Sequence, residues 1–261
     1  MKKLIVYTDL DGTLLDHHDY SFEPVLPVMD RLKALDAKVM AVTSKTVAEL
    51  EAMDLPFPAP SPSITENGMV RIDFEGRCYV AQHYEDIIAF IENLPSQYRQ
   101  YFIGFNDMSV AEVVQHTGLE EAAAMLAKKR IGSEPFLWQG DETALVALRD
   151  LAQSSGFRIT QGGRFYHLMG QGDKGEAIKE MSKDYASLYK EHHIVSVALG
   201  DGPNDAQMLG VVDYGVKIPN SSGHDFEVLN PAGSVINAPE AGPRGWAAAM
   251  SDLLDQLELQ L

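Results

Sequence analysis

Cysteine is almost absent: Cys78 stands alone among 261 residues. A single thiol can neither close an internal disulfide nor supply a thiolate metal cluster, and Cys78 is read as a small apolar residue in a strand. Positive charge is also scarce, 21 Lys and Arg against 38 Asp and Glu, for a formal net charge of -17. A field of that sign repels phosphate backbones and anionic membranes, so nucleic acid and lipid surfaces are set aside as partners. No run approaches the ~20 apolar residues of a membrane span. The N-terminus passes from Met1-Lys2-Lys3 through a short apolar run directly to Asp9, without the longer stretch and small-residue cleavage site of a signal peptide. A cytoplasmic protein is expected. At 261 residues the chain is long enough for one large or two modest domains, and 45% hydrophobic residues are ordinary for a globular protein.

What is present is a strand–helix beat. Leu4-Ile5-Val6-Tyr7 reads as a strand buried on both faces. Apolar residues at helical spacing follow from Pro24 to Leu35, then a strand over Lys38–Val42, then a capping box at Thr46-Val47-Ala48-Glu49 that opens another helix. Four prolines make 56–62 a loop, and 63–81 reads as a strand and hairpin with turns at Asn67-Gly68 and Glu75-Gly76. A mixed block follows: helices near 85–94, 110–116, 120–129 and 142–153, with strands near 101–105, 136 and on both sides of Gly162-Gly163. The α/β beat resumes with a helix over 174–190, strands at 194–199 and 214–218, a helix after Asn204 and a last helix over 245–257. The expected fold is a doubly wound α/β core (1–83 and 170–261) interrupted by an inserted α+β module (84–169).

Chemistry-bearing residues collect at the strand ends. Thr8-Asp9-Leu10-Asp11-Gly12-Thr13-Leu14 places two carboxylates at the carboxyl edge of the first strand, where open α/β sheets hold their ligands. An EF-hand loop would need Gly and Glu where Leu14 and Tyr20 stand, so a phosphoryl-transfer site is the favoured reading, with a solvated turn carrying two incidental aspartates as its rival. Gly200-Asp201-Gly202-Pro203-Asn204-Asp205 repeats the pattern after the strand from Ile194, and a few hard carboxylates suit Mg²⁺. Lys174 sits at a helix start, where the helix dipole disfavours it, which suggests another use. Thr43 and Ser44, at the end of the second strand, offer hydroxyls either to a phosphate or to the following helix.

In this order the four pieces resemble the haloacid dehalogenase (HAD) superfamily of phosphohydrolases, from Ile5 to Gly210, and Glu66-Asn67-Gly68 looks like the turn of the subclass with a C2B-type cap. The resemblance implies a nucleophile at Asp9, which takes the phosphoryl group, and an acid/base at Asp11. It implies Mg²⁺ on Asp9, the Asp11 carbonyl and Asp201, supported by Asp205. Thr43 and Lys174 would hold phosphoryl oxygens, with Ser44 as a near-equal hydroxyl and Asn204 nearby.

Within the superfamily, Ser44-Lys45-Thr46, 104–109, 130–136 and 162–168 resemble the mannosyl-3-phosphoglycerate phosphatase family. The implied substrate is a small phosphorylated sugar or glycoside that also carries a carboxylate. Arg164 is the first candidate for that carboxylate, Glu134 for sugar hydroxyls and His167 for either. Arg130 reads as a solvated helix end, and His17-His18 as exposed and outside the site. Glucosyl-3-phosphoglycerate, sucrose, trehalose or hexose phosphates, a phosphomannomutase-like transfer, and a non-catalytic phosphosugar-binding role stay open as alternatives.

Overall fold

The first apolar run forms β1 (Lys2–Thr8), whose side chains alternate between two cores. Leu4 and Val6 join a cluster with Val197, Leu199 and Trp246, while Ile5 and Tyr7 join another with Met40, Ile178 and Leu209. Burial on both sides is why the segment reads as continuously apolar. The computed structural model describes residues 2–58, 62–162, 164–220, 223 and 225–258. Residues 59–61 of the expected proline loop and Gly163, between two expected strands, therefore lie outside the described residues.

β1 is central to an eight-stranded mixed sheet. Toward one edge lie β2 (Lys38–Val42), β3 (Ser63–Thr65), β4 (Val70–Ile72) and β5 (Cys78–Val80). The next four strands in chain order belong to a second sheet. Toward the other edge of the first sheet come β10 (His193–Gly200), β11 (Tyr214–Lys217) and β12 (Ser234–Asn237). All pairings from β12 to β3 are parallel, and β4 and β5 are antiparallel. The strand order reverses at β1, so a crevice opens at the carboxyl ends of β1, β2 and β10. Helices α1 (Leu26–Ala34) and α10 (Gly242–Glu258) cover one face, and α8 (Lys174–Leu188) and α9 (Ala206–Gly210) the other. Trp246 on α10 is fully buried and donates from Nε1 to Thr8 Oγ1 at 3.0 Å, fixing the strand end next to Asp9.

The second sheet is antiparallel, in the order β6 (Phe102–Gly104), β7 (Ser133–Trp138), β9 (Phe165–Gly170), β8 (Phe157–Gly162). One face packs under α3 (Tyr84–Glu92) and α7 (Glu142–Ser154) through Ile87, Ile91, Phe102, Phe136, Leu148 and Leu168. Between β6 and β7 run α5 (Val110–Thr117) and α6 (Glu121–Ala127), which enclose a small cluster of their own with Phe105, Met108 and Val113. The fold is thus an α/β core sheet with a separate four-stranded cap sheet, as expected. Thr46 caps α2 (Val47–Ala52) with the reciprocal Glu49 bond expected of a capping box.

Three details differ from the sequence reading. Helix α4 (Ser96–Arg99) and strand β12 had no counterpart, since one is a single turn and the other a short, largely exposed edge. Cys78 lies in β5 as a strand residue, but its thiol is exposed. Arg130 is buried, where a solvated helix end was expected. Among the described residues, no helix is long and apolar enough to cross a membrane.

Candidate active site

Asp9 follows β1 directly, and its backbone N–H donates to Leu199 O of β10 at 2.9 Å. Its side chain is therefore aimed into the crevice by two adjacent strands. Asp173 caps α8 by accepting from Glu176 N at 2.9 Å, which seats Lys174 at the first helical position. The Lys174 ammonium is buried and reaches Asp9 Oδ1 at 2.6 Å and Asp205 Oδ1 at 2.7 Å. Burial opposes its charge, but Asp205 and Asp9 outweigh this and hold its pKa above the usual lysine value. The placement that disfavours a helix start is thus offset by two carboxylates.

The turn after β10 arranges the second acidic pair. Asp205 Oδ2 accepts from the backbone N–H groups of Asp201 and Gly202, both at 3.0 Å. Asp201 Oδ1 accepts from Thr13 Oγ1 at 3.0 Å, and its Oδ2 from Asn220 Nδ2 at 2.7 Å. Gly12, at φ 79°, lets the Asp9–Asp11 turn close over Asp201, because a Cβ there would lie 2.7 Å from Asp201 Oδ2. Burial, with Asp205 adding to it, pushes the Asp201 carboxyl up to about 7, and burial also raises Asp9 well above the carboxylate range.

Carboxylate oxygens of Asp9, Asp201 and Asp205 all lie within 4.8 Å of one another. Three carboxylates around one ammonium leave an excess of negative charge that a dication would neutralise. The donors are hard oxygens only, so the cluster fits a divalent metal ion.

Asp11 points to the side. Its Oδ2 pairs with Lys45 Nζ at 2.9 Å, while its Oδ1 is buried without a partner. Lys45 itself is nearly buried. Thr43 is buried, and its hydroxyl accepts from Lys45 N at 3.2 Å. A cavity of about 740 Å³ opens from Asp9 and Asp11 and is lined by Ser44, Asn204 and His167 among others. Thr43 and Lys174 do not line it; they stand behind its wall.

The cap candidates divide. His167 is buried at the cavity wall with Nδ1 unpartnered, and burial lowers its pKa to about 3, so the ring is neutral. Glu134 is fully buried inside the cap, where it accepts from Tyr84 OH and Asn106 N, each at 2.7 Å. Arg164 is exposed and donates to His116 O; neither it nor Glu134 lines the cavity. His17, expected outside the site, stands at the cavity's edge.

Several residues at the site had no assigned role in the sequence reading. Lys45 sits two residues after Thr43 and serves Asp11. Arg158, Thr160 and Asn220 line the cavity. The Glu66 carboxylate, wholly buried, accepts from Ile131 N at 3.0 Å, Gly132 N at 3.1 Å and Ser133 Oγ at 2.8 Å. Arg130 lies 4.0 Å from Glu66 and donates to Ser44 O at 2.8 Å. Period-2 alternation would have grouped Arg158 with Thr160. Nothing in the local sequence signals the long-range partners of Glu66.

No protein-family model matches the chain. Curated relatives do. The chain is 37% identical to the glucosyl-3-phosphoglycerate/mannosyl-3-phosphoglycerate phosphatase of Persephonella marina, across 98% of each chain. It is 33% identical to the protein of the same name from Methanococcoides burtonii, across 97% of each. A phosphatase of the HAD superfamily from Bacteroides thetaiotaomicron superposes with a TM-score of 0.66 at 17% identity, over 96% of this chain and 94% of that one. A HAD-like hydrolase from B. subtilis does so with 0.66 at 17%, over 95% and 99%. At such identities the structures speak to the fold alone. Full-length similarity at 37% goes further: the chain is a HAD-type phosphatase and belongs to the glucosyl-3-phosphoglycerate/mannosyl-3-phosphoglycerate phosphatase family.

Proposed function

We propose that this chain releases inorganic phosphate from mannosyl-3-phosphoglycerate and glucosyl-3-phosphoglycerate, leaving the glycosylglycerate. The observation that carries the substrate is the full-length match to two phosphatases named for both compounds. In this reading residues 1–83 and 170–261 form the catalytic core and 84–169 the cap, and the protein works in the cytoplasm.

An Asp9 carboxylate oxygen attacks phosphorus, the ester P–O bond breaks, and the leaving oxygen takes a proton from Asp11. Water then attacks the aspartyl phosphate and gives a proton back to Asp11, and Asp9 is regenerated as phosphate departs. Acid–base help of this kind contributes about 10²–10⁴ in rate. Lys45 holds the Asp11 carboxyl in place between the two half-reactions. Lys174 screens the nucleophile from the incoming phosphate, and a hydroxyl at Ser44 or Thr43 donates to a phosphoryl oxygen. Ser44 is favoured because it lines the cavity. Asn204 and His167 meet the remainder of the substrate. Magnesium, held by Asp9, Asp201, Asp205 and the Asp11 carbonyl, would offset the charge between carboxylate and phosphate.

The test is phosphate release from the mannosyl and glucosyl compounds beside simple hexose phosphates, with Mg²⁺ and after chelation. A clear preference for the glycosylated phosphoglycerates, dependent on Mg²⁺ and lost in Asp9→Asn, is the expected result. Indiscriminate turnover would overturn the substrate, and activity that survives Asp9→Asn would overturn the nucleophile.

A further inference from the structure

The cavity has an acidic floor, yet one strongly cationic side chain from the cap lines its wall. Along β8 the side chains of Arg158 and Thr160 share a face, Gly162 follows at the same register, and Thr160 pairs with His167 of β9. All four residues line the cavity. β8 packs against the Pro203–Asp205 turn, so this face lies beside the carboxylates that surround the phosphoryl position.

Arg158 is underused where it stands. Its Nη1 makes a long contact of 3.4 Å with Asp173 Oδ2, and Asp173 already spends its other oxygen on capping α8. A guanidinium has five N–H donors in a planar fork, enough for a two-point bond to a carboxylate. Next to it, His167 is more than nine-tenths buried and its Nδ1 has no partner. Gly162 lies against the His167 ring and lines the same cavity. Arg164, by contrast, is exposed and turned to His116 O.

We propose that Arg158 is a specificity-determining residue that binds the carboxylate of the substrate's glycerate portion, with His167 beside it meeting a neighbouring hydroxyl. The proposal rests on the reading of the substrate as a phosphoglycerate glycoside. In such a compound the carboxylate is only a three-carbon unit away from the phosphoryl oxygen, so it must bind on the wall next to the phosphate. Arg158 meets that requirement, because it lines the same cavity as Asp9 and its strand packs against the Pro203–Asp205 turn. An arriving carboxylate would replace the long Asp173 contact with a bidentate, charge-assisted pair.

The experiment uses inhibition of aryl phosphate hydrolysis by 3-phosphoglycerate and by glycerol 3-phosphate, which lacks the carboxylate. The ratio of the two inhibition constants isolates carboxylate recognition. Wild-type enzyme is expected to favour 3-phosphoglycerate. Arg158→Gln should cut that preference by about 10–100-fold, the worth of a lost charge-assisted hydrogen bond. Arg158→Lys should restore part of it, and Arg164→Gln should keep it whole. Circular dichroism of each variant confirms folding. A preference that persists in Arg158→Gln and Arg158→Lys overturns the proposal, as does a wild type without any preference. Both constants rising together would mean that Arg158 only latches the cap to Asp173, which also overturns it. Because the probes carry no sugar, this outcome is separable from turnover of the glycosylated substrates, which tests the substrate reading itself.

Discussion

Replacing Glu66 with Ala should be among the most destabilising single changes outside the apolar cores. The carboxylate is fully buried and serves three donors from the cap segment: two backbone N–H groups and the Ser133 hydroxyl. None of the three gains a new acceptor from a methyl group, and each orphaned donor costs about 1–3 kcal/mol. Arg130 would also be left facing a cavity with its buried charge uncompensated at that side. These effects share one site and do not add fully, so the expected loss is about 3–5 kcal/mol, a large part of the 5–15 kcal/mol typical of a folded domain. Urea unfolding followed by circular dichroism reads this as a fall in the midpoint. Glu66→Gln, which keeps one acceptor oxygen, should lose less than half as much. An alanine variant within about 1 kcal/mol of wild type would refute the idea that this carboxylate ties cap to core.

Three other outcomes are expected. Burial lifts the Glu134 carboxyl from its usual range to about 6, against the pull of Asn106 N and Tyr84 OH. Its stabilising share is therefore complete below about pH 4.5 and is lost as pH rises through 6, about 2 kcal/mol in all. Glu134→Gln should remove that slope from the pH dependence of the urea midpoint, and a slope that remains would refute the assignment. Lys174→Met strips the ammonium from Asp9 and Asp205; in chelator it should cost about 3–5 kcal/mol, and an undiminished melting temperature would contradict the pairing. Trp246→Phe deletes the bond to Thr8 and some volume, for about 1–2 kcal/mol by urea titration; a change below about 0.5 kcal/mol would show the bond to be idle.

The core was legible because its signals are local. A both-faces-buried strand, a capping box at Thr46 and two acidic turns each declare themselves within a few residues, and the sheet brought Asp9, Asp201 and Asp205 together. The cap was legible in its elements but not in its contacts. Arg164 looked like a ligand because an arginine suits a carboxylate and 162–168 resembles the family, yet residue type says nothing of direction, and the side chain turns outward to His116 O. Arg158 gave no such sign, being set in an ordinary strand whose facing direction depends on register with β9. Glu66 and Arg130 are 64 residues apart in sequence, and no pattern within one segment encodes a meeting at that separation.

The bonds between the cap and the loop after β2 have a consequence for anyone recombining these proteins. Thr46 Oγ1 donates to Leu126 O at 3.1 Å, and Arg130 donates to Ser44 O. The strip that includes the Thr43 and Ser44 hydroxyls is therefore braced by main chain and side chain from the inserted segment. A chimera that grafts a foreign cap between Tyr84 and Met169 would sever this brace unless the donor also brings an equivalent of 126–133, or the host's 43–46 and Glu66 are exchanged with it. These bonds tie three separated segments, 43–46, Glu66 and 126–133, into one linked block, and crossover points chosen at the sheet boundary alone would split it.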